Sequence, residues 1–241
     1  MTTHNAIEPL LPSSRTHDYR AALEMLCALD RSAYEHRTLK EGANWERRTQ
    51  LYEFVQGRVQ MNRIAGMDLR VFALNTLLKG GFRIAQGLGH PGVDSQDRSW
   101  DPPKNGRNIF KHGLSFDEIT QSPTFGTLTF FTPHKVDGTR AVMFSTLDTN
   151  ANARLAMPMP GMEGEVYLLT IATMRGENYR FISALHFHAD ENIRGQLAAN
   201  VAKLNLAPLE RDVFINHCES RIRQWLAPRV TKASGASGPD A

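Results

Sequence analysis

The spacing of apolar residues changes along this chain, and the change limits the folds that it can adopt. Between residues 17 and 88 apolar residues recur every three or four positions, which is the period of a helix buried on one side. Between residues 124 and 188 they form short runs rich in β-branched and aromatic residues, as strands do. Helices followed by strands are typical of the α+β class.

The sequence predicts a helical N-terminal region and, after it, a four-stranded antiparallel sheet with flanking helices. The first predicted helix follows a cap at residues 16–18, the second runs from Asn44 to about Arg63, and the third from Asp68 to Leu78. The predicted strands are 124–131, 140–146, 165–173 and 179–188, with a hairpin turn at 174–178. Further helices are expected at 102–112, 190–205 and 209–226.

These elements suggest a division of the chain into five segments. A flexible N-terminus (1–16) precedes a helical region (17–90), and a turn-rich linker at 87–97 leads into an α+β domain (99–205). A C-terminal helix (206–228) and a disordered tail of small and polar residues (229–241) follow. A weaker hypothesis is a helix-turn-helix within residues 44–88, with Gly66 in the turn.

Composition and charge favour a cytoplasmic globular protein. The chain contains no apolar run long enough to span a membrane, and we expect neither a secretory signal at its start nor a membrane partner. Its two cysteines, Cys27 and Cys218, are expected to be buried thiols. The net charge is +3, but residues 99–190 hold eight basic and nine acidic residues, so charge alone does not indicate RNA binding.

The residues that could carry chemistry are concentrated between Trp100 and Phe116. Lys104 and Lys111 are seven positions apart, and therefore share one face of the predicted helix, on which Arg107 and Asn108 could contact substrate. His112 could act as a general base or acid in metal-independent RNA cleavage, because histidine titrates near neutrality. The alternative is a solvated basic helix face with His112 stabilised by the helix dipole.

Other side chains could complete such a site. Arg140 and Arg175 could bind the phosphate as a bidentate clamp. Trp100 could stack on a base, although an aromatic residue beside a short helix is more often a core anchor. His186 and His188 face the same side of a predicted strand and could contact substrate, or else be ordinary solvent-facing histidines. The pattern lacks a metal-like third ligand and any nucleotide-binding loop, so we expect no metal and no cofactor.

A fixed-spacing motif within this segment resembles the opening signature of BrnT-type toxins. The pattern W-D-x-x-K-x-x-x-N-x-x-K-H-G-x-x-F starts at Trp100 and ends at Phe116. A second match, T-x-R-G followed by I-S-A, occupies Thr173–Gly176 and Ile182–Ala184. BrnT proteins are small bacterial ribonucleases of type II toxin–antitoxin systems with a RelE-related fold. Over residues 99–200 the resemblance implies that fold, RNA as substrate and an antitoxin or other protein partner, and it leaves the oligomeric state open.

The chain also departs from the family pattern. Leu185 replaces an arginine that follows I-S-A, and the loop at 148–164 is an insertion. The acidic residue expected near the start of the second strand is absent, since Gly138 and Thr139 precede Arg140. The first 98 residues are foreign to the family as well. Two hypotheses follow: a BrnT-like endoribonuclease carrying an extra helical domain, or a catalytically inactive toxin-fold module that binds protein or nucleic acid in a larger assembly.

Overall fold

A computed structural model describes residues 13–78, 98–134, 138–149, 157, 164–188, 192–204 and 206–235. The N-terminal region is helical, as predicted. Its elements are α1 (Ser13–Cys27), α2 (Arg31–Arg37), a 3₁₀ turn (Leu39–Glu41), α3 (Trp45–Val55) and α4 (Arg63–Leu77).

The prediction for this region was right about the start of α3 and wrong about its end. Asn44 caps α3, with its side-chain oxygen accepting from the Arg47 N–H at 3.0 Å. The helix ends at Val55 rather than near Arg63, because Gly57 adopts a positive φ of 77° that stops it. The next helix then begins at Arg63, five residues before the predicted start. Gly66 lies inside this helix, so the turn required by the helix-turn-helix hypothesis is not formed there.

Four strands form the predicted antiparallel sheet, and a short fifth strand extends it. The order is β1 (Arg98–Ser99), β5 (Asn178–His186), β4 (Glu165–Arg175), β3 (Gly138–Asp148), β2 (Leu128–His134). Neighbours among β2 to β5 are antiparallel, whereas the two-residue β1 pairs in parallel with the start of β5. Two residues carry too little pattern to be predicted from sequence.

Helices cover both faces of the sheet. On one face lie α5 (Pro102–His112) and α6 (Phe116–Gln121), and on the other α7 (Ile193–Val201) and α8 (Pro208–Gly235). Phe116 and Ile119 of α6 pack under the sheet with Met143, while Ile215 and Ile222 of α8 pack on the opposite face. The helical region packs on the outer side of α5, because Ile109 and Phe110 belong to its core. Helix α5 therefore packs its apolar side chains into the helical region and reaches β5 through Asn108.

The C-terminal helix is longer than the sequence predicts. It continues past Leu226 to Gly235, which lies within the segment at 229–241 predicted to be a disordered tail. The predicted linker at 87–97 and residues 236–241 lie outside the described residues. Within the described parts of the chain no helix is both long and apolar enough to cross a membrane.

Candidate functional site

Helix α5 carries five of the ten predicted site residues and presents three different faces. Gly106 and Ile109 face the helical region, with Gly106 so close to α4 that an added Cβ would lie 2.1 Å from the Asp68 carbonyl oxygen. Asn105 and Asn108 are both buried, with Asn108 turned toward β5 and Asn105 toward Asp68 of α4 and the start of α6. The third face holds three basic residues, Lys104, Arg107 and Lys111, which together form the basic stripe. Lys104 and Arg107 are exposed, and Lys111 is half-buried. The helix has the predicted bounds, with Gly113 as its C-cap at a φ of 75°.

One residue of the basic stripe is tied to the helical region. The Arg107 guanidinium lies 2.7 Å from a carboxylate oxygen of Glu41, in the 3₁₀ turn. The arginine is 54% exposed and Glu41 only 12% exposed. This ion pair holds Arg107 toward the helical layer, and such partly exposed pairs contribute little stability.

The start of the motif is occupied by packing and hydrogen bonding. The Trp100 indole N–H donates to Asp68 Oδ2 at 3.0 Å, and its ring packs edge-on against Phe116 and Phe181. Asn105 donates to the same oxygen of the fully buried Asp68 at 2.7 Å and accepts from the Phe116 N–H at 2.8 Å. The aromatic side chain proposed to stack on a base thus serves as a core anchor in the structure.

Asn108 joins α5 to the sheet. Its amide donates to the Leu114 carbonyl at 2.7 Å, and its oxygen accepts from the Ala184 N–H at 2.8 Å. Strand β1 pairs only with residues 179 and 180 of β5. The Ala184 N–H lies beyond the end of this edge strand, and the Asn108 oxygen accepts its hydrogen bond in place of a neighbouring strand. The side chain predicted to bind substrate is 5% exposed and holds two elements together.

This hydrogen bond brings His112 and His186 to the same end of the molecule. Helix α5 and β5 run in the same direction, since Arg180 lies 3.9 Å from Asp101 at one end and Asn108 contacts Ala184 further along. His112 is one helical turn beyond Asn108 and His186 two strand residues beyond Ala184, so each lies about 6 to 7 Å further on.

Both histidines also lie on the α5 side of the sheet. His186 pairs in register with Leu168, which belongs to the core beneath α6. His112 follows Asn108 by four positions, so it lies on the helix face that Asn108 turns toward β5. The rings of His186 and His188 are 4.4 Å apart, as the sequence spacing predicts. Both His112 and His186 are half-buried, and His188 is exposed.

A buried arginine supports the end of α5 beside His112. Arg47 of α3 is 1% exposed, and it donates to the Met157 carbonyl and, at 3.2 Å, to Gln50. A Cβ added at Gly113 would lie 2.5 Å from Arg47 Nη2. Burial lowers the pKa of this guanidinium to about 10. Glycine at 113 therefore allows both the left-handed turn and the close approach of the arginine.

The structure does not bring the two predicted phosphate-clamping arginines to His112. Arg140 alternates with Val142 and Phe144, whose side chains pack on the α7 and α8 side of the sheet. Through Thr173 it shares a register row with Arg180, six residues before His186 on β5 and hence roughly 20 Å away along the strand. Arg175 ends β4 at the same far end. The predicted catalytic set is divided between two ends of the sheet.

Comparison of the chain with models of known protein families, with curated proteins and with solved structures found no match in any of the three. The interpretation of this site therefore depends on its own geometry. Among the described residues no group of three or more histidine, cysteine or acidic side chains is placed to hold a metal ion.

Sequence reasoning missed three residues that shape the site: Arg47, Asp68 and Asn105. Asp68 stood in the sequence as an acid between apolar residues of a helix, and such a position indicates a buried polar partner. Asn105 lies on the Asn108 face at a spacing of three, which could have suggested a shared role. Arg47 offered no signal, because its partner Met157 is 110 positions away.

Proposed function

We propose that this protein is a BrnT-like toxin-type ribonuclease that cleaves RNA without a metal ion, with His112 and His186 as its acid–base pair. The observation that carries the proposal is the placement of both histidines at one end of α5 and β5, fixed by the hydrogen bond from Ala184 to Asn108. Cleavage of RNA by this route needs one group to accept a proton and another to donate one.

The reaction follows from that pair. One histidine takes the proton of a ribose 2′-hydroxyl, whose oxygen attacks the neighbouring phosphorus. The other donates a proton to the departing 5′-oxygen, which leaves a 2′,3′-cyclic phosphate and a free 5′-hydroxyl. Lys111, next to His112, supplies positive charge for the phosphorane, and the exposed Lys104 on the same face can hold the adjoining backbone.

The test is cleavage of a labelled RNA by the purified chain in the presence of a chelator. We expect a cyclic phosphate product and no cleavage of a substrate with a 2′-deoxy sugar at the cut site. His112→Ala and His186→Ala should each lower kcat by about 100-fold or more. His36→Ala, an exposed histidine on α2, is the matched control. Absence of cleavage by the folded wild-type protein, or full activity of His112→Ala, would refute the proposal.

A second candidate is a catalytically inactive toxin-fold module that binds protein or nucleic acid. It is favoured by the roles of Trp100 and Asn108 in packing and by the distance of Arg140 from His112. Expression in a bacterial host separates the two candidates. Growth arrest by wild type, relieved in His112→Ala, supports the ribonuclease. Unaffected growth with soluble, folded protein supports the module.

A further inference from the structure

The two edges of the sheet differ in how they are closed. At one edge β1 pairs with the start of β5, and Asn108 accepts the hydrogen bond of the Ala184 N–H further along. At the other edge β2 pairs with β3 from Leu128 to His134, and none of the described strands lies on its outer side. Every second residue of such an edge strand turns its N–H and C=O outward, where they can pair with another chain.

Strand β2 lacks the features that usually protect a sheet edge. Its sequence, LTFFTPH, contains no lysine, arginine, aspartate or glutamate, and its pairing with β3 has no bulge. Pro133 lacks an N–H and limits further pairing to the residues before it. Residues 128–132 therefore present an uncharged, regular backbone edge.

Phe131 exposes an aromatic side chain on one face of this edge. It pairs in register with Ala141, which belongs to the core beneath α6, so both side chains lie on the α6 side of the sheet. Ala141 is fully buried, whereas Phe131 is 54% exposed. The phenylalanine ring is therefore placed to pack on a side chain of a strand added beside β2.

Helix α8 exposes apolar side chains on the other face of the same edge. The rings of Phe214 and His217 lie 6.2 and 5.4 Å from the ring of Phe130, so α8 crosses over β2 at this point. Val213 and Leu209 precede His217 by four and eight positions and continue along the same side of the helix. These two exposed residues, 62% and 78% exposed, are called the α8 stripe.

The direction of α8 carries the α8 stripe beyond the edge. Further along the helix, the Trp225 ring lies 5.8 Å from the ring of Tyr167 on β4. Followed back toward its start, α8 therefore passes from β4 to β2, and its first turns continue past β2. Phe131 and the two residues of the α8 stripe are three of the six exposed large apolar residues among those described, so exposed apolar surface is concentrated here. The place of a sixth strand lies between them.

The position of α8 also decides which partner can pair with β2. If a second copy paired its own β2 there, the two strands would be about 4.8 Å apart, and each would carry its α8 over Phe130 near the middle of the strand. Packed helices need about 8 to 10 Å between their axes, so the two α8 helices would collide. A single extended segment of a different protein has no such helix above it.

Charge beside the α8 stripe defines the segment further. Glu210 and Asp212 are both exposed, while Arg211 between them is half-buried. One carboxylate oxygen of Glu210 accepts from the Ala207 N–H at 3.2 Å, and this bond keeps the side chain at the first turn of the helix. Because β2 itself carries no charge, the exposed carboxylates make a segment with a basic residue the complementary partner.

We propose that the outer side of β2 binds an extended segment of a partner protein as a sixth strand. The segment carries apolar side chains on both faces, which contact Phe131 on one side of the sheet and the α8 stripe on the other, and a lysine or arginine that pairs with Glu210. Backbone hydrogen bonds give affinity in such strand addition, and side-chain contacts give specificity. The surface lies at the sheet edge opposite to β5 and does not depend on RNA cleavage.

The experiment measures binding of a defined peptide by the full chain. The probe is a fluorescein-labelled peptide of sequence KTVVTVVTK, which has valines on both faces of a strand and a lysine at each end, and anisotropy gives its Kd. The peptide KTVPTVPTK has the same charge, but its prolines cannot donate hydrogen bonds, and it should bind at least about tenfold more weakly. Phe131→Ala, and Leu209→Ser with Val213→Ser, should each raise the Kd of the first peptide at least about fivefold.

Matched variants make the result specific. Met25→Ala removes a side chain that is 60% exposed on α1, away from the sheet, and should leave Kd unchanged. Glu210→Gln keeps an oxygen for the Ala207 N–H and loses the charge, so Kd should rise and depend less on salt. Glu24→Gln removes the same charge from an exposed position on α1 and should have no effect. Thermal unfolding of every variant confirms that it is folded.

Two further measurements locate the peptide and examine the other occupant. Bound peptide should slow the hydrogen exchange of backbone amides in residues 128–132. Sedimentation velocity without peptide tests for a second copy, and a dimer that Phe131→Ala dissociates would overturn the proposal. Failure of the wild-type chain to bind the peptide, or equal Kd values for Phe131→Ala and Met25→Ala, would overturn it as well. None of these outcomes depends on His112, so the ribonuclease proposal is tested separately.

Discussion

Asn108 accepts a hydrogen bond from the backbone N–H of Ala184 at 2.8 Å, although the two residues are 76 positions apart. The same side chain donates to the Leu114 carbonyl. One amide thus fixes both the distance of α5 from β5 and the turn that follows the helix. The position of His112 relative to His186 depends on this contact.

Asn108→Ala should destabilise the protein by about 2 to 4 kcal/mol, because it leaves a buried N–H and a buried carbonyl without their partner. Urea unfolding measures the change. Lys104→Ala, on the exposed face of the same helix, should stay within about 0.5 kcal/mol of wild type. Similar losses in the two variants would show that the amide does not clamp the helix.

Gly106 marks the closest approach of two helices. A Cβ at this position would lie 2.1 Å from the Asp68 carbonyl oxygen and 2.6 Å from Phe72 Cβ, so Gly106→Ala must push α4 and α5 apart. We expect a loss of about 3 kcal/mol or more, or failure to fold. Gly66→Ala is the matched control, because its Cβ would meet Phe54 at an ordinary 3.6 Å and the helix gains from alanine. In thermal unfolding, the melting temperature of Gly66→Ala should equal or exceed that of wild type, and that of Gly106→Ala should be lower than both. A melting temperature lower for Gly66→Ala than for Gly106→Ala would contradict the close packing of α4 and α5 at Gly106.

The sequence predicted the local features of this fold far better than its long-range contacts. The bounds of α5 and the start of α3 after Asn44 both depend on residues within a few positions of each other. The division of the predicted site between two ends of the sheet depends instead on residues that are far apart in the sequence. Alternation along β3 sets the face of Arg140, but only the order and register of the strands reveal that this face and this end are far from His112.

The buried thiol of Cys218 should make the protein sensitive to alkaline pH. Burial raises the pKa of this thiol to about 12, whereas the unfolded chain titrates it near 9.0. Above pH 9 the unfolded state therefore binds fewer protons than the folded state, so the free energy of unfolding falls as pH rises from about 9 toward 12. The slope from this group is roughly 1 kcal/mol per pH unit.

Urea unfolding at pH 8 and at pH 10.5 measures this effect. Cys218→Val keeps a small apolar side chain in place of the thiol and should lose less stability between the two pH values than wild type. Cys27→Val is the comparison at the second cysteine, which is less buried and whose pKa burial also raises. Parallel losses in wild type and Cys218→Val would assign the alkaline sensitivity to other groups, among them Tyr34, whose pKa burial also raises.

Variants of Arg47 test how much a buried charge contributes to stability at the contact between the helical region and α5. Its Nη1 donates to Met157 and Gln50, while Nε and Nη2 have no hydrogen-bond partner among the described residues. Replacing a buried charge by an apolar side chain of similar volume is often neutral, whereas truncating it leaves a cavity. We therefore expect Arg47→Ala to cost about 3 to 5 kcal/mol and Arg47→Met less than half of that. Chemical denaturation of both variants measures the difference. Equal losses would mean that the guanidinium charge itself, rather than the volume of its side chain, holds α3 against Gly113.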